Sequence, residues 1–214
     1  MSNFRYYRPN ALPPIVKNLI IINVLVWIAQ LIFDKQYDLT GMLALYPIGT
    51  PLFKPYQIAT HMFTHAAYDE NGQIIFYHIL FNMFALWMFG RVLEGVWGGK
   101  RFLLFYLVCG VGAAITHLAV QYFTGSYSAA VGASGAIMGI FAAFGYLFPN
   151  TELYILFIPI PIKAKWAVLG MAAYDLFVGY YGSDNVAHFA HLGGALTGFI
   201  LVLIWNKTNR RKFY

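Results

Sequence analysis

The sequence predicts an all-α, polytopic membrane protein with six transmembrane helices, and three observations carry that prediction: composition, the length of its apolar runs and the placement of its cations. Of 214 residues, 60% are hydrophobic and only 10% charged, with a mean hydropathy of +0.61, far from the usage of soluble domains. Apolar stretches run from Ile15 to Phe33, Ile74 to Phe89, Phe102 to Phe123, Val131 to Phe148, Trp166 to Tyr181 and Val186 to Trp205. A span needs roughly 20 residues, with about 17 to 25 tolerated, so the second and fifth stretches are marginal by length. Hydrocarbon offers backbone N–H and C=O groups no partner, so each stretch is expected to be helical.

The cations set the orientation, because Lys and Arg near span ends are retained on the cytoplasmic side. With the amino terminus inside, 12 of the 14 lie on inner segments, from Arg5 and Arg8 through Arg91, Lys100 and Arg101 to Arg210, Arg211 and Lys212; only Lys35 and Lys54 fall outside. That split requires an even number of spans with both termini cytoplasmic. It gives a cytoplasmic segment at 1–14, a six-span membrane domain at 15–205 and a basic tail at 206–214. Trp97, Trp166 and Trp205 stand near expected inner ends, as interfacial aromatics do. The cations form short clusters rather than a stripe interleaved with aromatics, so no nucleic-acid partner is expected. The single cysteine, Cys109, excludes an internal disulfide and a multi-cysteine metal site; it reads as filler in an apolar helix.

The first stretch is long, is followed by Asp34 and Lys35 and lacks a small-residue cleavage pattern, so it is expected to be retained rather than removed as a signal peptide. The first outer loop, Asp34 to Gln73, is long and still rich in Tyr, Phe, Ile and Pro, which suits a loop packed at the interface. The stretch from Leu153 to Ile162, broken by Pro159 and Pro161, reads as an interfacial connector. A short basic amino terminus without an Arg- and Ser-rich transit segment points to a bacterial plasma membrane. No feature sets an oligomeric state.

Polar side chains inside spans are costly and mark function by default. His78 and Asn82 are four apart on the second span and share a face. Ser134 lies near the start of the fourth span and His191 near the start of the sixth. These three spans run in the same direction, so all four residues lie at similar depth in the outer half of the bilayer. Gly135 and Gly139 on the fourth span, and Gly194 and Gly198 on the sixth, form small-xxx-small faces that let backbones approach closely. Such packing would bring His191 to Ser134, whose hydroxyl is a weak nucleophile until a neighbouring base takes its proton. Asn82, His78 and the Ser134 backbone N–H are candidate donors to an oxyanion. No carboxylate is evident to orient His191, so a Ser–His dyad is expected rather than a triad. Asp175, expensive within the fifth span, is read as a structural hydrogen-bonding residue.

These residues carry a family resemblance. Gly132-Ala133-Ser134-Gly135 resembles the Gly-x-Ser-Gly motif of rhomboid intramembrane serine proteases. His78-x-x-x-Asn82 is similar to their His-x-x-x-Asn, and Ala190-His191-x-x-Gly194-x-x-x-Gly198 resembles their last-helix signature. The resemblance covers Tyr56 to Trp205. It implies a serine endopeptidase without cofactor that cleaves single-span membrane proteins in the lipid bilayer, with Ser134 and His191 catalytic and Asn82 and His78 at the oxyanion site. Two positions depart from the family pattern: Tyr56-Gln57 stands where many members carry Trp-Arg in the outer loop, and Met138 where some carry a tyrosine that stacks on the catalytic histidine.

Rival readings use the same residues. Ser134 alone could be a small interface residue, and His191 and Asn82 interhelical hydrogen-bond partners. A second function class is a non-catalytic relative that binds membrane helices, which has no need of both Ser134 and His191. A third is a metal or proton transporter using His61, His65, His78 and Asp175; no His-Glu-x-x-His pattern supports a metal there, so no metal is expected and His61 and His65 are read as holding the loop. His188 is a rival base nearer the outer surface, and His117 is a packing histidine without an evident partner.

Overall fold

Pro14 opens the first helix because its fixed φ suits a helix start and its missing N–H would have had no intrahelical partner. In the computed structural model, which describes residues 12–154, 160–182 and 186–208, this helix, α1, runs Pro14–Tyr37. The N–H groups of Ile15 and Val16 donate to the carboxylate of Glu94 at 3.0 and 2.8 Å. A negative charge suits the positive end of the helix dipole, and the contact ties the start of α1 to a distant part of the chain. Most of the segment expected at 1–14, with Arg5 and Arg8, and of the tail at 206–214, with Arg210, Arg211 and Lys212, lies outside the described residues.

The second helical stretch is longer than its apolar run. Helix α4 (Tyr77–Ala85) passes through one π turn (Leu86–Gly90) into α5 (Arg91–Trp97), making a continuous segment of 21 residues. Its charges are accommodated locally: Arg91 stacks over the Trp87 ring at 4.3 Å, and Glu94 caps α1. Gly98, at φ 77°, ends it with its N–H on the Glu94 carbonyl at 2.8 Å, a left-handed turn that glycine adopts without steric cost. Helix α6 (Gly99–Thr124) follows, then α7 (Ser134–Leu147), α8 (Ala164–Tyr181) and α9 (His188–Thr208). Among the described residues, four segments are long and apolar enough to cross a membrane: Pro14–Tyr37, Tyr77–Trp97, Gly99–Thr124 and His188–Lys207. With α7 and α8 they stand in the order and places of the six expected stretches.

Among the described residues the fold is all-α apart from one small ribbon. Glu152–Tyr154 (β1) pairs antiparallel with Pro161–Lys163 (β2), Glu152 opposite Lys163, where only an irregular connector was expected; Pro159 lies outside the described residues. A larger correction concerns α7, which starts at Ser134 rather than Val131. Gly132 adopts φ 121° and gives its N–H to the His61 carbonyl at 2.9 Å, so the backbone is still irregular there. Fourteen residues rise about 21 Å, short of the roughly 30 Å hydrocarbon thickness. A helix whose inner end reaches the interface therefore begins below the outer surface, with Ser134 at its buried tip.

Helix α7 is the centre of the bundle: Gly135 through Gly145 are all buried, the mark of a helix apolar on every side. Between helices in lipid the driving force is close van der Waals packing rather than the hydrophobic effect, and the glycines supply it. A Cβ on Gly198 would lie 2.6 Å from the Gly139 Cα, one on Gly194 would strike the Gly135 carbonyl, and one on Gly139 would lie 2.9 Å from the Gly194 carbonyl oxygen. The same position on Gly139 also faces the buried Cys109 of α6. At the opposite end of the bundle from Ser134, Trp97, Phe105 and Trp205 stack on one another at 4.8 to 5.8 Å.

The outer loop lies on this bundle as a packed layer. It contains α2 (Leu39–Leu43), α3 (Gln57–Thr60) and a 3-10 turn (His61–Phe63). The buried Gln57 side chain organises it, accepting from Lys54 N–H at 3.1 Å and donating to the carbonyls of Met42 and Leu52 at 3.2 and 3.1 Å. Leu45 and Ala130 exchange backbone hydrogen bonds at 2.9 and 3.0 Å, which braces the segment just before Ser134.

Candidate functional site

The side chains singled out from sequence come from the amino-terminal ends of three helices. His78 and Asn82 lie on α4, Ser134 is the first residue of α7, and His191 stands in the first turn of α9. The glycine contact between α7 and α9 sets Ser134 Oγ 2.8 Å from His191 Nε2. Both line a cavity of about 750 Å³ that His78 and Asn82 also line, with Asp69 and Glu70 of the outer loop on its wall.

His78 is held in a defined tautomer by its surroundings. Its Nδ1 accepts the Ala66 N–H at 3.3 Å, which leaves the proton of the neutral ring on Nε2. That nitrogen lies 2.9 Å from where a Cβ on Gly132 would be, and the same position is 3.5 Å from Ser134 Oγ. Gly132 thus serves two needs, a left-handed backbone and an open approach between His78 and the serine. Asn82 donates from Nδ2 to the His78 carbonyl at 2.8 Å, while its Oδ1 is buried with no hydrogen-bond partner among the described residues. The N–H groups of the first turn of α7 have no intrahelical acceptor and carry the positive end of its dipole.

Asp175 requires a correction. The sequence offered no carboxylate for His191, yet Asp175, 1% exposed on α8, accepts from His191 Nδ1 at 3.1 Å. The same oxygen accepts from His188 Nδ1 at 2.6 Å. A serine, an imidazole and a carboxylate therefore stand in one line, the serine and carboxylate on opposite ring nitrogens. His188, read as a rival base, is buried at 5% exposure. The orienting contact that Met138 left open is supplied by Asp175. His117, expected without a partner, faces the Ser128 carbonyl at 3.4 Å, and Gln121 donates to that carbonyl as well.

The loop histidines hold structure. His65 Nε2 meets Asn23 Oδ1 at 2.9 Å and its N–H meets Gln30 Oε1 at 3.1 Å; His61 Nδ1 donates to the Gln57 carbonyl at 2.9 Å. Burial pushes the His61 ring down to about 4, and burial with the neighbouring His78 pushes His65 down to about 3, so both are neutral at pH 7. Among the described residues, the His, Asp and Glu side chains that converge are Asp175, His188 and His191, not the set His61, His65, His78 and Asp175.

Comparison with known proteins decides the family: the Rhomboid domain matches residues 52–207. This chain belongs to the rhomboid family. It is 30% identical over 199 residues to the human "Presenilin-associated rhomboid-like protein, mitochondrial", covering 89% of this rhomboid and 49% of that protein. It is 31% identical over 199 residues to "Rhomboid-like protein 11, chloroplastic" of Arabidopsis thaliana, covering 88% and 64%, and 29% identical over 127 residues to "Rhomboid protein 1, mitochondrial" of Saccharomyces cerevisiae, covering 58% and 37%. The chain spans about half the length of the human relative. The rhomboid is an integral, multi-pass membrane protein; its relatives bear mitochondrial and chloroplastic names, so the expected bacterial plasma membrane gains no support from them.

Proposed function

We propose that this rhomboid is an intramembrane serine endopeptidase that cleaves single-span membrane proteins in or beside their transmembrane segment. The observation that carries the reading is the 2.8 Å contact between Ser134 Oγ and His191 Nε2 on the wall of a cavity that His78 and Asn82 also line. Both termini belong to the cation-rich side of the bilayer, which puts the cavity on the opposite side.

The roles follow from the hydrogen bonds. His191 Nε2 takes the proton of Ser134 as its oxygen attacks the scissile carbonyl, then gives that proton to the leaving amine. Asp175 acts as a positioning residue: by accepting the Nδ1–H it keeps Nε2 free of a proton in the resting ring and stabilises the imidazolium that forms. The oxyanion is received by His78 Nε2–H, the Asn82 amide and the first N–H groups of α7, donors fixed before the charge develops. Water entering the cavity then hydrolyses the acyl-enzyme, with His191 again as base. This is a triad-like arrangement in place of the expected dyad.

The test is cleavage of a reporter transmembrane substrate in detergent or liposomes. Ser134→Ala and His191→Ala are expected to lose activity by at least about 10³-fold while keeping the wild-type melting behaviour. Substantial cleavage by either folded variant would contradict the assignment.

A further inference from the structure

The hydrolytic scheme uses one histidine on Asp175, but the structure places two. Asp175 Oδ1 meets His188 Nδ1 at 2.6 Å and His191 Nδ1 at 3.1 Å. The two rings stand edge to face with centroids 6.0 Å apart. Asp175 Oδ2 is buried and has no hydrogen-bond partner among the described residues, an acceptor with capacity to spare. One ligand atom from each of the three residues lies within 4.8 Å of the others.

Two imidazole nitrogens and one carboxylate oxygen are the donors of a borderline divalent ion such as Zn²⁺; Mg²⁺ and Ca²⁺ require shells of oxygen. In a tetrahedral zinc site, Zn–N and Zn–O distances of about 2.0–2.2 Å put ligand atoms roughly 3.4 Å apart, so the widest pair must close while the 2.6 and 3.1 Å contacts to Asp175 Oδ1 open, and a fourth position is left for water. Access comes from both sides. His191 lines the large cavity, His188 lines a neighbouring one of about 350 Å³, and Val186 and Ala187 line both.

We infer that Asp175, His188 and His191 form an inhibitory site for Zn²⁺, and that filling it silences Ser134; the inhibitory half rests on the hydrolytic reading above. A metal on Nδ1 takes the lone pair of that nitrogen. For a neutral His191 ring the proton that Nδ1 carried then moves to Nε2, so nothing is oxidised and that ring loses no proton. For His191 this turns Nε2 from acceptor into donor opposite Ser134 Oγ. A nitrogen that already carries a proton cannot take the serine's.

The experiment has two arms on the full chain. Titration of Ser134→Ala protein with zinc chloride by calorimetry reads binding without any need for activity; stoichiometric binding is expected, weakened in Ser134→Ala/His188→Gln. Since even outer partners of a metal site are worth 10–100-fold in affinity, loss of a direct ligand costs roughly tenfold or more. In the second arm, zinc blocks fluorophosphonate labelling of wild-type protein, EDTA restores it, and His188→Gln labels without zinc but needs roughly tenfold more zinc for the same block. No binding to Ser134→Ala at millimolar zinc, or equal zinc sensitivity of wild type and His188→Gln, overturns the inference. Zinc binding by Ser134→Ala together with no labelling of wild type under any condition supports the metal site and counts against the protease reading.

Discussion

Among the described residues, two polar clusters stand out in this apolar molecule, one between α1 and the outer loop and one where α7, α8 and α9 meet. In the first, Gln30 donates to the His65 carbonyl at 2.6 Å and to Thr40 Oγ1 at 2.5 Å. Asn23 faces His65, Asp34 receives the Thr40 hydroxyl at 2.6 Å, and the Tyr68 hydroxyl donates to the Leu31 carbonyl at 2.7 Å. Asn23, Gln30 and His65 are all fully buried, and His65 Nδ1 is the one side-chain atom of these three left without a partner. In the second cluster Ser134 and His191 line the large cavity, and Asn82 Oδ1 and Asp175 Oδ2 have no hydrogen-bond partner among the described residues. Buried polar groups are normally satisfied. The contrast is one of place: Asn23, Gln30 and His65 line neither cavity, whereas Ser134 and His191 line the large one, and polar atoms beside an opening are the ones available for chemistry.

Substitutions sharpen that contrast in order of expected effect. Asp175→Asn keeps the shape but can present N–H to His191 Nδ1, favouring the tautomer with Nε2 protonated. Turnover is expected to fall on the order of 10²-fold or more, with little change in KM. Unchanged kcat would return Asp175 to the structural role first read for it. Asn82→Ala removes one oxyanion donor and is expected to lower kcat by about 10²-fold; a change confined to KM would instead mark Asn82 as a substrate-binding residue.

The glue cluster responds in stability rather than in turnover. His61 and His65 have folded values of about 4 and about 3 against an ordinary 6.5, so between those values the unfolded loop binds protons that the folded loop refuses. Stability then rises with pH across the window. Loop packing is complete above about pH 6.5 and weakens as pH falls towards 4 for His61 and 3 for His65. Hydrogen exchange of residues 57–66 at pH 7 and pH 4.5 reads this directly, with faster exchange expected at pH 4.5 after correction for intrinsic rates. Equal protection at both would separate the histidines from the loop's stability. His65→Gln has the smallest expected effect, about 1 kcal/mol of loop stability, the order found for interhelical hydrogen bonds in membranes.

Much of this was legible in the sequence because membranes impose few solutions. Long apolar runs gave the helices, and shared depth with glycine spacing singled out Ser134, His191, His78 and Asn82, which the structure gathers round one cavity. The second helix was read too short because Arg91 and Glu94 ended its apolar run; stacking on Trp87 and capping of α1 are tertiary contacts that a hydropathy count does not contain. The fourth was read too long because Val131 and Ala133 are apolar, although Gly132 breaks the helix there. Asp175 was missed as a partner because it lies on a different helix, 16 residues before His191. One signal was available: a carboxylate inside a span needs a partner, and His188 and His191, three apart on one face, had no carboxylate assigned.

The central claim is that Ser134 is made nucleophilic by His191. Locating a fluorophosphonate adduct by mass spectrometry in purified protein tests it most directly. The adduct is expected on Ser134 in wild type and lost in His191→Ala, while adduct on another residue, or undiminished labelling of Ser134 in His191→Ala, would contradict it.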